Sequence, residues 1–285
     1  MPAVCVALAA LVLLIVRCGG DDGGIPDAGP RIDDPGPVHV HGLGINPRDG
    51  ALFIATHTGL FRTPAEEKQS VRVADRYQDT MGFTVVGPDR FLGSGHPDFR
   101  KEPDLPPLLG LIESRDEGKT WNEIALLGEA DFHVLEASGR WVYGFDSSGG
   151  RLMVSRDRGR EWSERSPPEA LVSLAIDPEN PERVIASAEG ELYLIRDGGQ
   201  HWRSLSGAPG LLAWPAARQA YLVTSDGGVL LSDDAGKSWD SVGEVGGQPA
   251  AFEAERTREL YVALHDGTVK RSTDGGTTWE VRSAP

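Results

Sequence analysis

The chain has seven histidines, and five of them, His39, His41, His57, His96 and His133, fall in its first half. The same stretch carries Arg76, Tyr77, Asp79, Asp98, Arg100, Glu129 and Asp131. His39 and His41 are two residues apart, which on a strand sends both rings off one face. With His133 or His96, and one of Asp79, Asp98 or Asp131, they offer the donors of a site for a divalent ion such as Zn²⁺. The carboxylates Asp79, Asp98, Glu129 and Asp131 could instead do acid–base work on a glycoside, where one carboxyl protonates the leaving oxygen and another activates the attacking group. Arg76, Tyr77, His57, His96 and Arg100 offer the donors and ring faces that grip a ligand. The plainer alternative is that these residues cap strand ends and hydrogen-bond loop backbone.

What must position them is a repeat. Five near-copies of one phrase follow: SRDEGKTW from Ser114, SRDRGREW from Ser155, IRDGGQHW from Ile195, SDDAGKSW from Ser232 and STDGGTTW from Ser272. Their aspartates, Asp116, Asp157, Asp197, Asp234 and Asp274, are 41, 40, 37 and 40 residues apart. The Asp accepts backbone N–H groups ahead of it, and the Gly two residues on takes the positive φ that a tight turn needs. The Trp that ends each phrase (Trp121, Trp162, Trp202, Trp239, Trp279) opens the next strand and packs a large ring between sheets. A period near 40 built from short strands predicts an all-β propeller with four-stranded antiparallel blades. Reading strands back from each phrase gives five blades, and VHVHGLGINP, ALFIATH, GLFRTP and VRVADRY supply a first blade that lacks the phrase. Six blades fit residues 38–285; a seventh would need part of the preceding segment. Strand direction puts all five phrases on one face. The histidines fall on the other, around the channel mouth at blades one to three.

The five phrases resemble the Asp-box, or BNR repeat, of a family that includes sialidases, xyloglucan-cleaving hydrolases, sortilin-type receptors and photosystem II assembly factors. The resemblance covers residues 38–285 and implies an architectural role for the box, far from any active site. Sialidases grip a carboxylate with three arginines and carry an Arg-Ile-Pro motif ahead of the first box. Here that motif is missing and only Arg76 and Arg100 fall on the mouth, so exo-sialidase activity is not expected. HVHGLGINP and ATHTGLF resemble bacterial Asp-box lipoproteins labelled glycosyl hydrolase-like.

Residues 2–16 form an apolar run too short to span a bilayer, of signal-peptide length. The run ends at IVRC, which resembles a lipobox with Cys18 as the lipidated residue. Residues 1–18 therefore read as a signal peptide and residues 19–37, rich in Gly, Pro and Asp, as a flexible tether. Cys5 lies inside the signal, so no disulfide is expected in the mature chain. A net charge of −15 argues against nucleic acid and against docking on anionic lipid. The expectation is an extracytoplasmic monomer, lipid-anchored or secreted, that binds a glycan or protein ligand at the mouth of blades one to three. A glycoside hydrolase is the alternative.

Overall fold

The computed structural model describes residues 36–285. The signal-peptide and lipobox reading of residues 1–18, with Cys18, lies outside the described residues, as does the tether up to residue 35. Among the described residues there are twenty-four strands and no helix. They form six four-stranded antiparallel sheets, each taken from consecutive strands. The expected six-bladed propeller is the observed fold, and the seven-bladed alternative is excluded.

Blade one holds β1 (Val40–Ile45), β2 (Leu52–Thr56), β3 (Gly59–Thr63) and a two-residue β4 (Val71–Arg72). Blade two holds β5 (Asp79–Gly87), β6 (Arg90–His96), β7 (Leu111–Ser114) and β8 (Asn122–Ala125). Blade three holds β9 (Phe132–Ser138), β10 (Trp141–Asp146), β11 (Arg151–Ser155) and β12 (Ser163–Arg165). Blade four runs through β13 (Leu171–Ile176), β14 (Val184–Ala188), β15 (Leu192–Arg196) and β16 (His201–Leu205). Blade five runs through β17 (Gly210–Ala216), β18 (Gln219–Thr224), β19 (Gly228–Ser232) and β20 (Asp240–Glu244). Blade six is β21 (Pro249–Arg256), β22 (Glu259–Leu264), β23 (Val269–Ser272) and β24 (Glu280–Ser283). The first strand of each blade lines the channel and lies beside the first strands of its two neighbours, β21 returning to β1.

Alternation along each strand gives every sheet two apolar faces. The buried apolar side chains accordingly fall into six clusters, each shared by one pair of neighbouring sheets. Val134, Tyr143 and Phe145 of blade three, for example, meet Leu174, Ile176 and Val184 of blade four.

The repeated phrase works as a turn that also joins blades. Asp157 Oδ1 accepts the N–H groups of Arg160 and Glu161 at 3.0 and 2.9 Å and the Ser155 hydroxyl at 2.8 Å. Asp234 and Asp274 repeat the pattern and add a hydroxyl four residues on, from Ser238 or Thr278. Where Ile195 replaces the Ser, the ring of His201 lies 2.7 Å from Asp197 in the place of that hydroxyl. These donors hold Asp157, Asp234 and Asp274 below the ordinary carboxylate range. The indole N–H groups of Trp162, Trp202 and Trp279 donate to the carbonyl of their own turn's glycine. The rings are half-buried and lie against the inter-sheet clusters rather than inside them.

Each turn's glycine touches the blade before it. A Cβ on Gly118 would lie 2.3 Å from Leu60, on Gly159 2.1 Å from Leu111, on Gly236 2.5 Å from Ile185 and on Gly276 2.7 Å from Val229. All four have φ between +80° and +91°. Gly159→Ala should therefore cost about 3 kcal/mol, from a left-handed residue with a side chain and from displacement of Leu111. Denaturant unfolding of the variant measures this; an unchanged midpoint would mean that the turn does not seat on blade two.

Blade one lacks the phrase, and its 64–70 turn is held from outside. The guanidinium of Arg282, only 9% exposed, donates to the carbonyls of Thr63, Pro64 and Glu67. Ser283 Oγ lies 2.7 Å from Ser70 Oγ and donates to Lys68 O at 3.1 Å. Ala284 makes a parallel bridge to Gln69. The ring is thus closed by the chain's last strand. On the opposite face, Pro37 is buried against the ring, its carbonyl close to Gly267.

Candidate functional site at the channel mouth

The inner strands do not run regularly to the mouth. In blade one, Val40 pairs with Thr56 and Gly42 with Ala55, which leaves His41 as an extra residue between them. The same shift isolates Met81 in blade two, His133 in blade three, Val172 in blade four and Ala250 in blade six. A bulge re-aims the residue it inserts. The five bulge residues line one cavity, together with Leu211 from the regular strand of blade five. The mouth is therefore a ring of six residues, with His41 and His133 on either side of Met81 in blades one to three and Val172, Leu211 and Ala250 in blades four to six.

The polar side is a chain of imidazoles and carboxylates. His57 Nδ1 lies 2.9 Å from Asp79 Oδ1, and His96 Nδ1 lies 3.1 Å from Asp79 Oδ2. The other nitrogen of His96 is 3.9 Å from Asp131 Oδ2, which His133 Nε2 meets at 2.9 Å. The His41 ring stands edge-on to His57 with centroids 4.3 Å apart, and His39 is 5.5 Å from His57. Burial, and then the nearby His57, lower the His41 pKa to about 4, so this ring is neutral at pH 7. Two polar atoms of the cluster, His41 Nε2 and Asp131 Oδ1, are buried without a hydrogen-bond partner among the described residues.

The structure thus brings together His39, His41, His57, Asp79, His96, Asp131 and His133. Asp98 does not join them. Its carboxylate takes a bidentate pair from Arg100 at 2.9 and 2.8 Å and the Tyr77 N–H at 3.0 Å, and the guanidinium holds its pKa far below the ordinary range. Arg72 and Arg100 lie 3.9 and 4.0 Å from the centroid of the Tyr77 ring, and Arg76 pairs with Glu102 at 2.7 Å. Tyr77, Asp98 and Arg100 are thus bound to one another, and Arg76 is engaged by a carboxylate of the same loop. Glu129 is exposed, and its main-chain carbonyl receives Arg151. The loop that carries Asp98 leaves Phe99 half exposed.

Sequence reasoning missed two groups deeper in the channel. Glu136 on β9 and Glu253 on β21 sit three residues past their bulges, at equal depth on blades that face each other across the ring. Both line the mouth cavity and the cavity beneath it. Burial, and for Glu136 also the charge of Glu253, push both carboxyls upward, Glu253 to about 7. The available signal was a glutamate following an apolar stretch of an inner strand, in HVLEAS and AAFEAE.

The fold and its mouth define a six-bladed propeller with a histidine- and carboxylate-lined mouth. No family model matches the chain. A stretch of 160 residues is 28% identical to the dispase autolysis-inducing protein of Streptomyces mobaraensis, covering 55% of this chain and 38% of that protein. A stretch of 150 residues is 34% identical to the photosystem II assembly lipoprotein Ycf48 of Synechococcus sp. (strain CC9902), covering 47% of this chain and 44% of that protein. The chain thus matches less than half the length of these curated relatives. Among solved structures, YCF48 bound to D1 peptide superposes with a TM-score of 0.54 at 13% identity, over 87% of this chain and 82% of that one. A nidogen/laminin complex chain superposes with a TM-score of 0.65 at 13% identity, over 82% and 93%. At these identities the likeness is one of fold.

The raised Glu253 pKa has a signed consequence. Between its ordinary value of 4.5 and about 7, the folded ring holds a proton that the unfolded chain has released, so raising the pH favours unfolding. Glu253→Gln should gain melting temperature relative to the native chain as pH rises from about 4.5 to about 7. A constant difference between the two profiles would mean that Glu253 is freely hydrated.

Proposed function

We propose that the ring is an extracytoplasmic binding or assembly module whose mouth receives a segment of a partner protein. The two-sided character of the mouth carries this reading. His41, His57, His96 and His133 with Asp79 and Asp131 offer donors and acceptors on blades one to three. Across from them, Val172 is 45% exposed. Beside it, Val172, Pro209, Leu211, Val223 and Pro249 line a largely apolar cleft of about 280 Å³. A peptide presents both kinds of group at short spacing, and exposed apolar patches rimmed by polar groups are typical of protein-binding surfaces. The named roles of the two curated relatives, one in assembly and one in protease autolysis, both concern other proteins, and one related fold was solved with a bound peptide.

A photo-crosslinking residue at Val172 or His57 in the full-length chain should give adducts with a discrete protein partner. The same residue at Thr277, on the opposite face, should not. Equal labelling from both faces would reject the mouth as the binding surface. The glycoside hydrolase reading keeps Asp79 and Asp131 as its carboxylates. Both are engaged by imidazoles, which favours positioning over proton transfer. Glycan turnover abolished by Asp79→Asn or Asp131→Asn would reverse that preference.

The anchor is proposed at Cys18, at the end of the apolar run 2–16. Cys18→Ser should move the protein from the membrane fraction to the soluble one. Retention in the membrane would make the run a spanning or interfacial anchor.

A further inference from the structure

We propose that His41, His57 and Asp79 bind one divalent transition-metal ion of the zinc class at the channel mouth. The site shares its location with the proposed partner surface and does not depend on that reading.

Each of the three residues offers one ligand atom, and these atoms lie within 4.8 Å of one another. Metal–ligand bonds of about 2.0–2.1 Å put the ligand atoms of a tetrahedral zinc site roughly 3.3 Å apart. The three atoms therefore need to close by no more than about 1.5 Å. The exposed member is the one free to re-orient without disturbing packing. His57 sits in the two-residue connection between β2 and β3, and its side chain is 44% exposed. It now meets Asp79 across a 2.9 Å hydrogen bond, so a metal would take the place of one proton between them.

The other two ligands are held. The bulge at His41 turns that ring into the mouth, and its Nε2 is buried with no hydrogen-bond partner among the described residues. An imidazole nitrogen in that state is under-satisfied at a cost that a ligand would remove. The second oxygen of Asp79 meets His96, which in turn faces Asp131. Such an outer arrangement of imidazole and carboxylate fixes the orientation of a ligating carboxylate and tunes its charge. Asp131 Oδ1, buried and unpartnered among the described residues, is a further oxygen in the same cluster.

The donor set selects the ion. Two imidazoles and one carboxylate suit Zn²⁺ or a neighbouring first-row ion; Ca²⁺ and Mg²⁺ prefer sites made of oxygen. Three protein ligands on a tetrahedral ion would leave a fourth position for water or a ligand group. Away from the mouth, His201 also has a carboxylate partner, Asp197 of the turn on the opposite face, and no second imidazole contact among the described residues.

The test is titration of the purified full chain in detergent with Zn²⁺ alone, followed by calorimetry, with Co²⁺ absorption as a second readout of ligand geometry. The expected result is one ion bound at the mouth with micromolar or tighter affinity and a metal-dependent rise in melting temperature. His57→Ala and Asp79→Asn should each weaken binding by at least about tenfold. His201→Ala should leave it unchanged. Because His57 is largely exposed, its variant should melt like the native apo-protein, which separates loss of the site from loss of the fold. Absence of binding at about 100 µM Zn²⁺ would overturn the proposal. So would binding that survives both mouth substitutions, which would place the ion elsewhere on the chain.

Discussion

A ring of sheets depends on the seam where its two ends meet. Here the seam adds a polar clasp to the apolar cluster that blades one and six share. Arg282 reaches from the last strand into the 64–70 turn of blade one and satisfies three carbonyls that the short β4 leaves without ladder partners. A buried guanidinium that makes no salt bridge among the described residues is unusual, since charge is normally paired when it leaves water. Carbonyl dipoles do the pairing, and the geometry of the fork fixes the register of the closure. Elsewhere the joints are apolar clusters capped by the glycine of a repeated turn. Only the first blade lacks that turn, and the last blade supplies the substitute.

The closed ring then decides what the mouth can be. Inner strands that ran regularly to the rim would alternate between neighbouring sheets and the channel. Bulges at five of the six break that alternation at one level and turn a circle of side chains inward. The chemistry of the circle follows from which residues occupy it. Blades one and three place histidine there; blades four, five and six place Val172, Leu211 and Ala250. Further in, Glu136 and Glu253 face each other at a level where burial favours their neutral forms. The channel is thus graded from imidazole to carboxylic acid along its axis.

Much of this was legible in the sequence. The fivefold phrase gave the period, the period gave the blades, and strand direction sorted the loops onto two faces. That sorting was enough to collect five histidines at one mouth. What stayed hidden depended on single-residue geometry. Asp98 looked equivalent to Asp79, yet it folds back onto Arg100 two residues later, and nothing in residue type distinguishes those outcomes. His57 was read as a ligand-binding residue and His133 as a metal ligand, whereas His57 is the one that stands beside His41 and Asp79. Glu136 and Glu253 escaped because a bulge changes the parity of an inner strand, and bulges have no compositional mark when the inserted residue is not glycine. The half-burial of the tryptophans has a similar origin: their position in the phrase is fixed, but their distance from the ring axis is set by the blade.

The seam also has a temporal meaning. Contacts inside a blade join residues close in sequence, whereas Arg282 and Ser283 meet partners more than 210 positions earlier. Local contacts form first because they close short loops. The outer edge of the first blade therefore stays unpaired until residues 282–284 are available to it. A protein that leaves its site of synthesis N-terminus first would carry that open edge throughout its passage. Its cooperative stability would arrive when that seam forms, in a single step that converts an open array of blades into a ring.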